Sequence, residues 1–157
     1  MMEPELTLPI NNNRDHLLGP QKAPVTLLEY GDYECPYCRQ ANLIVAKTVQ
    51  QLGNKIRFAF RNFPLSQIHP HAQHAAEAAE CAGAQNKFWE MHDYLFNHQN
   101  ELARTALARY AEDIGLNMMN FRQCLESSTY AAAIRIEISE AENAGVKRKD
   151  DPCQRRK

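Results

Sequence analysis

The sequence has no excess of either charge, no long apolar run, no internal repeat and no second closely spaced cysteine pair. Each absence removes a class of function. Lysine and arginine total 18 against 19 acidic residues, a net charge of −1, so nothing electrostatic recommends nucleic acid or an anionic membrane as a partner. No stretch approaches the roughly 18 consecutive apolar residues of a membrane span. The opening Met1-Met2-Glu3-Pro4-Glu5-Leu6-Thr7-Leu8-Pro9 has neither a basic start nor an apolar run. It does not read as a secretory signal, and the expected compartment is the cytoplasm. Five cysteines, an odd number, do not make a fully paired secreted framework. What remains is an ordinary globular composition, 44% hydrophobic and 24% charged over 157 residues, enough for one domain carrying an insertion.

Residues 1–23 are polar and rich in proline and asparagine, with Asn11, Asn12 and Asn13 in a row, and read as an irregular lead-in. Val25-Thr26-Leu27-Leu28-Glu29-Tyr30 is a short, apolar, partly β-branched run stopped by Gly31-Asp32, the pattern of a buried strand. From Pro36 to about Gly53 the pattern turns helical. Leu43, Val45, Ala46, Val49 and Leu52 form the expected apolar face, and Gly53-Asn54 the stop. Ile56-Arg57-Phe58-Ala59-Phe60-Arg61 alternates with period two and closes at Asn62-Phe63-Pro64, a second strand. Strand, helix and strand in that order fit a right-handed parallel crossover. Residues 71–145 then read as helices throughout. Ala72, Ala75, Ala76 and Ala79 make a stripe of small residues, and Phe88, Met91 and Leu95 share a face. Ala103, Leu107, Tyr110 and Ile114 recur at spacings of three and four, and two more helices are marked by Leu116 to Leu125 and by Tyr130 to Ala141. The fold class is α/β.

The chemistry is concentrated at Cys35-Pro36-Tyr37-Cys38, where the first strand hands over to the helix. A cysteine at a helix N-terminus faces unpaired N–H groups and the positive end of the macrodipole, which favour the thiolate. That thiolate is the nucleophile of disulfide exchange. A second cysteine three residues on lies one turn away on the same face, placed to attack a mixed disulfide. Pro36 suits the first turn, where its missing N–H costs nothing. Spacing alone leaves dithiol chemistry, a metal site and a structural pair open; the strand-to-helix placement favours redox chemistry, with Cys35 as nucleophile and Cys38 as resolving thiol. Tyr37 cannot place positive charge beside the thiolate as a histidine could, so it predicts a less depressed Cys35 thiol and a less oxidising pair.

The stretch from Ala23-Pro24-Val25 through Glu29-Tyr30-Gly31-Asp32-Tyr33-Glu34 to Cys35-Pro36-Tyr37-Cys38 resembles the opening of the DsbA-like thioredoxin-fold oxidoreductases. Arg57-Phe58-Ala59-Phe60-Arg61-Asn62-Phe63-Pro64-Leu65 followed by His69-Pro70-His71-Ala72 is similar to the second strand and next helix of that family. Lys87-Phe88-Trp89-Glu90-Met91-His92 resembles its inserted helical subdomain. The resemblance covers roughly residues 16–146 and implies a thioredoxin-like core interrupted by a helical insertion, working by dithiol–disulfide exchange through Cys35 and Cys38. On this reading residues 1–157 form a single domain: lead-in 1–23, strand–helix–strand redox core 24–64, helical insertion 65–146 and polar tail 147–157. The family continues after its last insertion helix with a cis-proline loop, a β-hairpin and a final helix. Here Ala144-Gly145-Val146 is followed by Lys147-Arg148-Lys149-Asp150-Asp151, and Pro152 lacks the small residues of that loop. The expectation is a reading frame truncated or shifted near codon 147, leaving a two-stranded sheet with an open apolar edge suited to strand-completing self-association.

The remaining candidates carry plainer readings. His69, His71 and His74 invite a zinc reading with the cysteine pair, but belong to a proline turn and a helix start; no metal and no cofactor are expected. Cys81 and Cys124 read as buried thiols packing as small hydrophobes, and Cys153 as an exposed thiol in the tail. Glu34 is either a tuning or proton-shuttling carboxylate beside the nucleophile or a solvated turn residue, and Trp89 is a core anchor. The expected partners are protein or small thiol and disulfide substrates and a redox recycling partner, without nucleic acid or membrane. A metal- or protein-binding module using the same thiols, and an inactive truncated fragment, are the alternatives.

Overall fold

The computed structural model describes residues 6–146. The tail at 147–157, with Pro152 and Cys153, lies outside the described residues. Three strands, β1 (His16–Leu18), β2 (Val25–Gly31) and β3 (Ile56–Asn62), form one sheet in the order β1-β3-β2. Six helices follow the expected order: α1 (Pro36–Leu52), α2 (Ala72–Gly83), α3 (Phe88–Asn97), α4 (Arg104–Asp113), α5 (Met118–Glu126) and α6 (Ala131–Asn143). β2 and β3 pair in parallel, from Val25 opposite Ile56 to Gly31 opposite Asn62, with α1 as the crossover. β1 pairs antiparallel with β3, His16 opposite Phe60.

β1 corrects the reading of 1–23 as irregular throughout, and with it the two-stranded sheet. Its three residues are too few to show an alternation. What holds the segment is tertiary. Arg61, 1% exposed, donates to both carboxylate oxygens of Asp15 at 2.8 and 3.0 Å, to Tyr30 Oη at 3.1 Å and to the Leu8 carbonyl at 2.9 Å. Such a pair is satisfied only as a set, because either partner alone would be a buried, unpaired charge.

The period-two alternation of β3 sends Phe58 and Phe60 to one face and Arg57, Ala59 and Arg61 to the other. The phenylalanine face builds the core with Tyr33, Phe88, Met91, Leu95 and Phe96. α2 is central in the insertion: Ala72, Ala75, Ala76, Ala78, Ala79 and Ala82 are all buried, so neighbouring helices pack close to its backbone. α6 is tied back to the sheet by Glu137, whose carboxylate accepts the backbone and side-chain N–H groups of Asn62, each at 3.0 Å.

Two further expectations change. Cys81 on α2 and Cys124 on α5 are not separate thiols; they form a disulfide, with Cα atoms 5.9 Å apart and a sequence separation of 43. Each cysteine does sit in an apolar helical stripe, and the two stripes face each other across the α2–α5 contact. In α1, Val45 and Val49 pack against the core, but Leu43 (56% exposed) and Leu52 (44%) do not. Apolar residues spread over more than one side of α1, while β3 and α3 receive only the side carrying Cys38, Val45 and Val49. β2 is likewise an edge among the described residues, with Val25 and Leu27 exposed.

Candidate redox site

β2 ends at Gly31 and α1 begins at Pro36, so the residues between them turn the chain from the sheet edge into the helix. Cys35 is the N-cap, with extended backbone (φ −80°, ψ 121°), and Pro36 occupies the first turn. The two thiols are free, and Pro36 and Tyr37, between them, are exposed.

The two cysteines are electrostatically unequal. Cys35 is pulled down to about 6, first by a hydrogen bond from the Cys38 thiol and then by the N–H groups of Cys38 and Tyr37; burial and the Asp32 charge oppose this. The Cys38 thiol is pushed up, by its hydrogen bond to Cys35, by burial, by the Cys35 charge and by Glu29. At neutral pH these influences favour a thiolate on Cys35 and a proton held on Cys38. A helix N-terminus favours an anion, so the N–H groups at the start of α1 act in the same direction on Cys35.

The loop around them is fixed by side chains from the insertion. Gln99 donates from Nε2 to the carbonyls of both Tyr33 and Cys35 at 2.8 Å. Tyr33, 1% exposed, donates its hydroxyl to His92 Nδ1 at 3.0 Å, and His92 Nε2 donates to Asn42 Oδ1 on α1 at 3.0 Å. Burial holds His92 down to about 3, so this bridge between α1 and α3 stays neutral. Glu34 accepts the His71 N–H at 2.8 Å, which fastens the loop to the start of α2.

Glu29 is the feature that pattern reading passed over. It lies on β2 among apolar residues, its Oε2 is buried without a hydrogen-bond partner, and burial lifts its carboxyl to about 7. The legible signal was a carboxylate inside a buried-type strand that leads directly into the cysteine pair. His69 pairs with Asp32, His74 accepts from Arg104 at 2.8 Å, and His71 contributes its backbone N–H to Glu34. Among the described residues no group of three or more His, Cys, Asp or Glu is placed to hold a metal.

A strand–helix–strand unit with a redox-type cysteine pair at the helix start, plus an all-helical insertion, defines a thioredoxin-fold protein. The sequence profile described as Thioredoxin matches residues 11–148. The thioredoxin-like oxidoreductase from Silicibacter pomeroyi DSS-3 superimposes with a TM-score of 0.76 at 28% identity, covering 85% of this chain and 76% of that one. Wolbachia pipientis α-DsbA1 superimposes with a TM-score of 0.77 at 25% identity, covering 94% and 77%. The chain belongs to the thioredoxin family, as a DsbA-like member. It is also 46% identical over 142 residues to the protein named Na(+)/H(+) antiporter NhaA 1 of Salinispora arenicola, covering 90% of this chain and 22% of that protein. The chain thus spans about a fifth of the length of the curated relatives it matches.

Proposed function

We propose that this chain catalyses thiol–disulfide exchange with protein or small-molecule substrates, Cys35 attacking and Cys38 resolving. The observation that carries the reading is the asymmetry of the pair: a low thiol on Cys35 facing N–H groups at the start of α1, and a proton retained on Cys38. In the reducing direction the Cys35 thiolate attacks one sulfur of a substrate disulfide, and the other sulfur leaves as a thiolate. Cys38 then loses its proton and attacks Cys35 Sγ. The substrate's second thiolate departs, and the protein is left with a Cys35–Cys38 disulfide. Oxidation of a substrate dithiol is the same sequence reversed. A recycling partner restores the starting state in either direction.

The forward resolution step needs a base inside the site, and Glu29 supplies it. Its charge is felt at Cys38, and its carboxyl near 7 exchanges a proton readily at neutral pH. Pro36 and Tyr37 tune the motif through helix geometry and through the absence of a cation, giving a milder poise than a histidine would. Glu34 acts by holding the loop on α2.

The Cys81–Cys124 bridge supports an oxidising compartment rather than the cytoplasm, because structural disulfides persist where thiols are not kept reduced. The edge of β2, unpaired among the described residues and with Val25 and Leu27 exposed, supports self-association by strand addition. Sedimentation as a monomer at micromolar concentration would contradict that part. The curated relatives support a second reading, in which the same exchange serves a Na(+)/H(+) antiporter, as their names describe them. Unchanged sodium–proton exchange in cells carrying Cys35→Ser would set it aside.

The direct test of turnover is insulin reduction by dithiothreitol. The wild-type chain is expected to accelerate it and Cys35→Ser to leave only the uncatalysed rate. A Cys35→Ser protein as active as wild type would reject the assignment.

A further inference from the structure

Asp32 lies at the centre of the redox loop and is 2% exposed. Its Oδ1 accepts the Glu34 N–H at 2.7 Å; its Oδ2 accepts the Leu65 N–H at 2.8 Å and contacts His69 Nδ1 at 2.8 Å. Its backbone touches both cysteines, the carbonyl accepting the Cys35 N–H at 3.2 Å and the N–H reaching Cys38 Sγ at 3.5 Å. One carboxylate therefore joins the end of β2, the cysteine loop and the segment after β3. A negative charge in that position also opposes a thiolate on Cys35.

We propose that His69 is a positioning residue for the reaction: it holds Asp32 in place and, when protonated, cancels the charge that would otherwise work against the Cys35 thiolate. The inference rests on the thiol–disulfide reading and adds a counter-charge to it. The groups facing Asp32 define the balance. From the segment after β3 comes His69, the partner of Asp32's single ion pair among the described residues. From the loop and α1 come Cys35 and Cys38. From β2, the Glu29 carboxylate acts on Cys38. The Glu34 carboxylate is engaged with the His71 N–H. While His69 carries a proton the Asp32–His69 pair is neutral, and the cap on Cys35 comes only from N–H groups and the Cys38 thiol.

The test is a pH titration of the Cys35 thiolate by its ultraviolet absorbance, in the intact reduced chain, for wild type and three variants. His69→Gln keeps a donor for Asp32 but no charge; it is expected to raise the Cys35 midpoint by about 1 pH unit, the low end of the effect of a nearby charge. His69→Lys restores the charge and is expected to bring the midpoint back to within the wild-type range. Asp32→Asn removes the opposing charge and is expected to lower it. In the double variant Asp32→Asn with His69→Gln, the His69 change is expected to have no further effect. A merely structural role would make His69→Lys as damaging as His69→Gln. An unmoved midpoint in His69→Gln, beside a depressed wild type, overturns the inference alone. A wild-type Cys35 with an ordinary thiol midpoint overturns the thiol–disulfide reading together with it.

Discussion

Replacing Glu29 with glutamine is expected to slow resolution of the mixed disulfide by roughly 10²-fold, the usual contribution of a positioned base, while attack by Cys35 changes little. The expectation follows from what holds the Cys38 proton. In the reduced protein that thiol is pushed up first by its hydrogen bond to Cys35 and by burial, then by the Cys35 and Glu29 charges. Once Cys35 is joined to a substrate, its negative charge is gone and with it two of those causes. Burial and Glu29 remain. A carboxyl lifted to about 7 by burial, with one oxygen unpartnered, can then take the proton without leaving a charge exposed to solvent. Glutamine preserves the size and polarity of the side chain but cannot accept that proton. Quenched-flow trapping should show the mixed disulfide building up in Glu29→Gln and passing quickly in wild type. Equal lifetimes would mean that Cys38 is deprotonated from elsewhere.

Removing the Cys81–Cys124 bridge, by Cys81→Ala with Cys124→Ala, is expected to cost about 2–4 kcal/mol of folding stability, the range for losing a native cross-link over a loop of this length. The bridge closes 43 residues of the insertion, so its loss frees the unfolded chain more than a short-range bridge would. It also removes contacts in a core where Cys81 is 1% exposed and lies among the alanines of α2. Urea unfolding of the oxidised wild type against the double variant reads the difference directly. The redox pair belongs to a different part of the chain, so the pH at which Cys35 forms its thiolate should be preserved. A stability change below about 0.5 kcal/mol would place the bridge among surface features, whose removal costs little.

The sequence revealed those parts of the molecule that repeat with a period. β3 alternates cleanly, α2 to α6 each show apolar residues at three- and four-residue spacing, and α1 starts at a proline after a cysteine. Their ends fall within a residue or two of the expected positions. The placement of the cysteine pair was legible because a strand on one side and a helix on the other are both local signals. What stayed hidden depends on partners distant in sequence. β1 exists because His16, Leu17 and Leu18 find β3 and because Arg61 finds Asp15, 46 residues away. Cys81 and Cys124 each looked like an apolar filler until α2 and α5 were brought together. Leu43 and Leu52 fit a helical stripe but point away from the elements that pack on α1, since periodicity names a face without saying what covers it. Glu29 read only as part of the first strand and Asp32 only as its stop, with nothing to mark either carboxylate. Only burial, and the proximity of Cys38 and His69, separates them from solvated ones.

The most direct measurement of the central claim is the alkylation rate of each cysteine in the reduced wild-type chain as a function of pH, with Cys35 and Cys38 resolved by peptide mass spectrometry. The expected result is labelling of Cys35 and not of Cys38, the Cys35 rate rising through a midpoint near 6 and Cys38 protected until Cys35 is blocked. Comparable labelling of both cysteines at the midpoint of an ordinary thiol, or labelling of Cys38 first, would contradict the assignment of Cys35 as the nucleophile.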